Sequence, residues 1–91
     1  MTKNELNGWV LFSAAWCGPC KNIKSDISKL TEEQQKLITI LNYEDHKDLF
    51  TELGIRTVPQ LHFIQDGNII EKYNGIPAIP NKMQTLFGNG K

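Results

Sequence analysis

The chain has only two cysteines and four prolines, and its charges cancel, ten Lys and Arg against ten Asp and Glu over 91 residues. Without a net field nothing draws it to nucleic acid or to an anionic membrane surface, and neither partner is expected. Long hydrophobic runs are missing too. The apolar stretch at residues 9–12 is too short for a signal-peptide core and far short of the ~20 residues that span a bilayer. A cytoplasmic location is therefore expected. Internal repeats, linkers and low-complexity blocks are also absent. The length leaves room for a single domain over residues 1–91 with one small core, and a monomer is expected. An apolar fraction of 40% is ordinary for a folded globule.

The two cysteines lie three apart, Cys17-Gly18-Pro19-Cys20, with no third thiol to form a structural staple. In the cytosol such a close pair is more often redox-active or metal-binding than structural. Its place in the chain sharpens the reading. Residues 9–13 read as a short buried strand and residues 14–19 as the loop that leaves it. Ile23, Ile27 and Leu30 then recur at helical spacing, which predicts a helix over residues 17–30. The pair thus opens a helix.

Further along, Thr31 and Gln34 have the spacing of a capping box, so another turn can start there. Residues 37–43 form a nearly continuous apolar run, as expected of a strand covered on both faces. Asp45 is the expected N-cap of a helix whose apolar face is Leu49, Phe50 and Leu53 and which stops at Gly54. Pro59 opens a strand to residue 65, and Asp66-Gly67 predicts a hairpin into a return strand at residues 69–73. Pro77 and Pro80 break the chain before a last helix over residues 81–87. The expected fold class is α/β, with the order βαβαββα and one four-stranded mixed sheet bearing helices on both faces.

The spacing of the cysteines carries chemistry. Residues three apart on a helical turn share a face at roughly 5–6 Å, which suits disulfide closure. The same turn aims unpaired N–H groups and the positive end of the helix dipole at the first sulfur, favouring its thiolate. Cys17 is the expected nucleophile, and Cys20, already in place, the resolving thiol. Gly18 permits the tight turn, and Pro19 lacks an N–H that would have no partner there anyway. Lys21 could lower the thiolate pKa slightly, although a solvated helical lysine is the plainer reading. A zinc site would need His46 and His62 to complete it, at spacings unlike any compact Cys₂His₂ site, and no metal is expected. His62, in an apolar strand, reads as a core histidine. A purely structural disulfide fits poorly with a cytosolic chain.

Residues 12–21, FSAAWCGPCK, resemble the active-site segment of the thioredoxin family, and Trp16-Cys17-Gly18-Pro19-Cys20 is that family's signature. Leu53-Gly54-Ile55-Arg56-Thr57-Val58-Pro59 resembles the segment that carries its cis-proline, and Asp66-Gly67 followed by Gly75 is a third match. The resemblance implies a minimal thioredoxin fold and a protein-disulfide reductase with no bound cofactor. Electrons would come from a reductase, a thioredoxin reductase, through a reversible Cys17–Cys20 disulfide. It further implies that Trp16 covers one side of the site and that Pro59 is cis and lies against the disulfide. The Val58 backbone would pair with an extended substrate segment, and Gly75 and Ile76 would complete the contact surface.

There are three departures from the family pattern. The strand and helix usual at the N-terminus have no counterpart in the roughly eight residues before the first strand, so the scaffold is nearer glutaredoxin size. Leu11 stands where the family usually has a buried aspartate, and Ile40 corresponds to the lysine near it. Replacing both charges avoids stranding one of them in the core. Cys20 would then lose its proton to water or to the departing substrate thiolate. Two alternatives stay open: a glutathione-dependent, glutaredoxin-like reductase, although the Gly-Gly pair typical of glutathione sites is missing after Asn74, and a thiol-independent docking subunit.

Overall fold

A computed structural model describes residues 3–88. Strand β1 (Gly8–Ser13) lies inside the sheet because both its faces are apolar, and Val10, Leu11 and Phe12 have no exposed surface. It pairs in parallel with β2 (Ile38–Asn42) and antiparallel with β3 (Gln60–Gln65), which pairs antiparallel with β4 (Asn68–Asn74). The sheet order is β2-β1-β3-β4. Four strands in a mixed sheet, as expected, alternate with α1 (Gly18–Ser28), α2 (Glu32–Gln35), α3 (Lys47–Leu53) and α4 (Ala78–Phe87).

The period-2 alternation of the central strands divides the interior into two layers. On one face Leu11, Leu61 and Ile38 pack against Ile23 and Ile27 of α1 and Ile79 and Met83 of α4. On the other, Val10, Phe12 and Ile64 meet Leu49 and Phe50 of α3, with Leu6 and Ile55. Each such side chain contributes about 1.5–3 kcal/mol by leaving water. The Phe12 and Phe50 rings meet edge to face at 5.3 Å.

Local chemistry explains the ends. Thr31 and Gln34 form the expected reciprocal capping box. Asp66 and Gly67, at φ 52° and 82°, turn the β3–β4 hairpin in the left-handed region that this two-residue turn demands. Gly54 ends α3 at φ 74°.

Three expectations need correction. β2 is an edge strand, not one covered on both faces: Thr39 and Ile40 are exposed, because only β1 flanks it. Asp45 does not cap α3. It closes a 3-10 turn, Tyr43–Asp45, and His46 takes the N-cap position without a side-chain bond. The last helix starts at Ala78 rather than residue 81 and carries Pro80 in its first turn, where a missing N–H leaves no carbonyl unpaired. The register places Leu11 beside Ile40, yet Leu11 is fully buried and Ile40 is 37% exposed. A lysine at position 40 would therefore reach water, and only position 11 carries the burial penalty that the sequence assigns to both.

Candidate functional site

Cys17 is the N-cap of α1, with extended backbone (φ −86°, ψ 113°). Its Sγ accepts a hydrogen bond from the Cys20 N–H at 3.2 Å, so the sulfur does the work that a serine or aspartate oxygen does at most N-caps. The two cysteines form a disulfide with Cα atoms 5.2 Å apart. The Cys17 N–H in turn donates to the Ala14 carbonyl at 3.2 Å, which folds the loop back under the sulfurs. Cys17 keeps 4% of its surface exposed and Cys20 none. Of the two residues, Cys17 is thus the less deeply buried. Gly18 and Pro19 are exposed beside it, and Trp16 stands out at 70% exposure.

The second wall comes from the segment between α3 and β3. Val58 is half-buried and packs on the small cluster of Ala14, Cys17 and Cys20. The Val58–Pro59 peptide is cis, as the family resemblance implies, and Ile76–Pro77 is a second cis bond that the sequence does not signal. Gly75 donates its N–H to the Pro59 carbonyl at 3.0 Å, and Ile76 follows it, half exposed. Of the residues singled out in the sequence, 16–20 form the turn that opens α1, Val58 packs on the cluster that holds both cysteines, and Pro59, next to Val58, is joined to Gly75. Between Trp16 and Val58 runs a groove of about 480 Å³ that also takes in Tyr43, Phe50 and Arg56. A larger groove, about 690 Å³, lies between α1 and α4; only the smaller one is lined by neighbours of the disulfide, Trp16 beside Cys17 in the chain and Val58 packed on the cysteine cluster.

Several polar groups around the site escape sequence reading. The Glu44 carboxylate accepts from the Ala15 N–H at 2.8 Å and ties the loop before the cysteines to the end of β2. Ser13, fully buried, donates to Asn42 Oδ1 at 2.6 Å, and Lys24 Nζ donates to the same oxygen at 2.8 Å. These partners are 18 to 29 residues apart in the chain. Only an asparagine at the end of a strand and a glutamate just after it could have hinted at them. His46, at the start of α3, and His62, inside β3, do not join the cysteines in one cluster, and among the described residues no three His, Cys, Asp or Glu side chains are grouped to hold a metal. His62 is a core histidine: it is fully buried, its Nε2 lies 2.9 Å from Gln60 Oε1, and its Nδ1 has no partner. Burial first, and then the nearby Lys72 charge, push its pKa down to about 4.

An N-cap cysteine disulfide-bonded to a fully buried partner, on a mixed sheet flanked by helices, is an arrangement able to carry thiol–disulfide exchange. Residues 2–86 match the family model described as Thioredoxin. The chain is 33% identical over 66 residues to thioredoxin-T of Drosophila melanogaster, covering 70% of this chain and 42% of that protein. It is 32% identical over 79 residues to a thioredoxin of Porphyra purpurea, covering 85% of this chain and 72% of that one. Among solved structures it resembles a thioredoxin of Malassezia sympodialis at 26% identity and a TM-score of 0.69, covering 90% of this chain and 76% of that one. The chain belongs to the thioredoxin family. It matches 40–42% of the length of three animal relatives, two of them mitochondrial thioredoxins of mouse and rat. Among the described residues, no helix is long and apolar enough to cross a membrane.

Proposed function

We propose that the protein is a dithiol reductant of protein disulfides in which Cys17 attacks and Cys20 resolves. The observation that carries this reading is the N-cap geometry of Cys17, whose Sγ is held by the Cys20 N–H at 3.2 Å and which is the less deeply buried of the two cysteines. In the reduced protein the helix N-terminus favours a Cys17 thiolate. That thiolate attacks one sulfur of a substrate disulfide, the substrate S–S bond breaks, and the other substrate sulfur leaves as a thiolate. Cys20 then gives up its proton and attacks Cys17 Sγ, the mixed disulfide breaks, and the second substrate thiol departs. Two electrons pass to the substrate and the Cys17–Cys20 disulfide remains. A reductase, by family likeness a thioredoxin reductase, returns it to the dithiol, so no bound cofactor is required. Trp16, Gly18 and Pro19 shape the turn. The Val58 backbone, Pro59, Gly75 and Ile76 receive an extended substrate segment. The cytosol, where disulfides are kept reduced, suits such a reductant.

With Leu11 buried beside β2 no carboxylate stands behind Cys20 at that position, and the Cys20 proton goes to water or to the leaving thiolate. If Leu11→Asp leaves the rate and pH dependence of disulfide reduction unchanged, that route is wrong.

Insulin-disulfide reduction tests the whole reading, first with thioredoxin reductase and NADPH, then with glutathione and its reductase. Activity in the first system alone is expected. Activity in the second alone would make the protein glutaredoxin-like, and full biological function in a Cys17→Ser, Cys20→Ser variant would make it a docking subunit. Trapping mixed disulfides with Cys20→Ser would identify the substrates.

A further inference from the structure

His62 is an expensive residue for its place. It sits fully buried on the α3 face of β3, its ring 4.8 Å from that of Phe12, and its Nδ1 has no hydrogen-bond partner. Leaving a buried acceptor unpaired destabilises the fold, a penalty that an aliphatic residue would avoid. Packing alone therefore does not account for it, and what it adds is the bond to Gln60. The direction of that bond follows from the rest of the chain of contacts. Gln60 Nε2 donates to the Thr57 carbonyl at 2.9 Å and to Thr57 Oγ1 at 3.2 Å, so both its protons are used. Gln60 Oε1 is thus left facing His62 as an acceptor, and His62 donates from Nε2.

The far end of this chain lies in the loop beside the disulfide. The Thr57 carbonyl and the Val58 N–H belong to one peptide plane. In a trans peptide the two point in opposite directions. Drawing the Thr57 oxygen inward to Gln60 therefore turns the Val58 N–H outward. On the other side of Val58, the Pro59 carbonyl is held by the Gly75 N–H at 3.0 Å, so the loop is pinned at both ends.

We propose that Gln60 and His62 are positioning residues for substrate: through Thr57 they orient the Val58 N–H toward the backbone of an extended peptide carrying the disulfide. The proposal rests on the reading of Val58 as a docking strand, and its ligand is main chain rather than any particular side chain. A small disulfide that offers no peptide backbone does not use this contact.

The test compares kcat/KM for insulin with kcat/KM for 5,5′-dithiobis(2-nitrobenzoate), from the concentration dependence of oxidation of protein reduced beforehand and freed of its reductant, so that neither a reductase nor a small thiol enters. In Gln60→Leu and His62→Leu the insulin-to-small-disulfide ratio should fall about three- to tenfold, the worth of one hydrogen bond, and chiefly through KM. The double variant should be no worse than the single Gln60→Leu, because both act through one chain. His62→Gln, which carries an N–H donor at a similar reach, should restore the ratio. A residue that only packs the core would shift the unfolding midpoint and leave the ratio alone. His62→Leu keeps an apolar residue in the core, so the test stands even if Gln60→Leu does not fold. Ratios and KM values equal to wild type in folded variants would overturn the proposal and leave the proposed function intact. If the wild-type protein itself does not reduce insulin, the reading of Val58 fails and the proposal with it.

Discussion

The two walls of the site are built in different ways. The cysteine turn is largely a local construction: Cys17 caps the helix that it opens, its partner is three residues on, and its backbone bonds run between Ala14 and Lys21, with Glu44 a distant support at Ala15. The wall at Thr57–Pro59 has no helix or strand of its own. It is held by side chains of β3 behind it and by Gly75, 16 residues later, in front. The reactive wall therefore follows from the physics of one helix end, whereas the receiving wall depends on the assembled sheet. Damage to the first should abolish chemistry, and damage to the second should weaken stability and recognition by degrees.

The largest effect is expected at the cysteine turn. Cys17→Ser should reduce disulfide exchange to background while the far-ultraviolet circular dichroism stays native, since a serine oxygen caps a helix at least as well. Residual exchange in that variant would make Cys20 the nucleophile and reverse the roles. On the receiving side the next effect is one of acid stability. His62 has a folded pKa near 4, below its ordinary 6.5. The unfolded chain therefore binds the proton first as pH falls. Stability is fully present above about pH 6.5 and lost on the way down to about pH 4, by about 3 kcal/mol at most. Urea midpoints measured across that window should drop for wild type and stay nearly level for His62→Leu.

Gly75→Ala should cost about 1 kcal/mol in a denaturant titration. The position has φ 66°, and the strain comes from the backbone alone because an added Cβ meets nothing within 4 Å. The smallest effect is expected at Glu44, an exposed carboxylate that holds the Ala15 N–H. Glu44→Ala should lower stability by a few tenths of a kcal/mol up to about 1. Faster amide exchange at Ala15 with little change at Thr57 would confirm that the two walls are supported separately. An equal loosening of both would contradict it.

Residues 16–20, the capping box at Thr31 and the Asp66-Gly67 turn were legible because each depends on neighbours within four positions. Pro59 and Gly75 were legible only through family likeness, since nothing in the sequence around them says that they meet. β2 was misread because a run such as Leu37, Ile38, Thr39, Ile40 and Leu41 looks the same at the edge of a sheet as at its centre. The start of α4 was missed because Pro80 reads as a breaker unless the first turn is already known to lie there. His62 was correctly read as a core histidine, but its bond to Gln60, and the link from Gln60 to Thr57, had no signature in the spacing.

The sequence by itself determined which two sulfurs pair. A cysteine at a helix N-cap with a second one turn later needs only helical geometry to bring the sulfurs together and to polarise the first. The tertiary structure alone decided what stands opposite them. The Val58 backbone, the Gln60 amide and the Gly75 N–H come within reach only when β3 pairs with β1 and β4 returns beside it. A hydrogen bond between residues far apart in the chain is set by strand register, not by the spacing of the residues it joins.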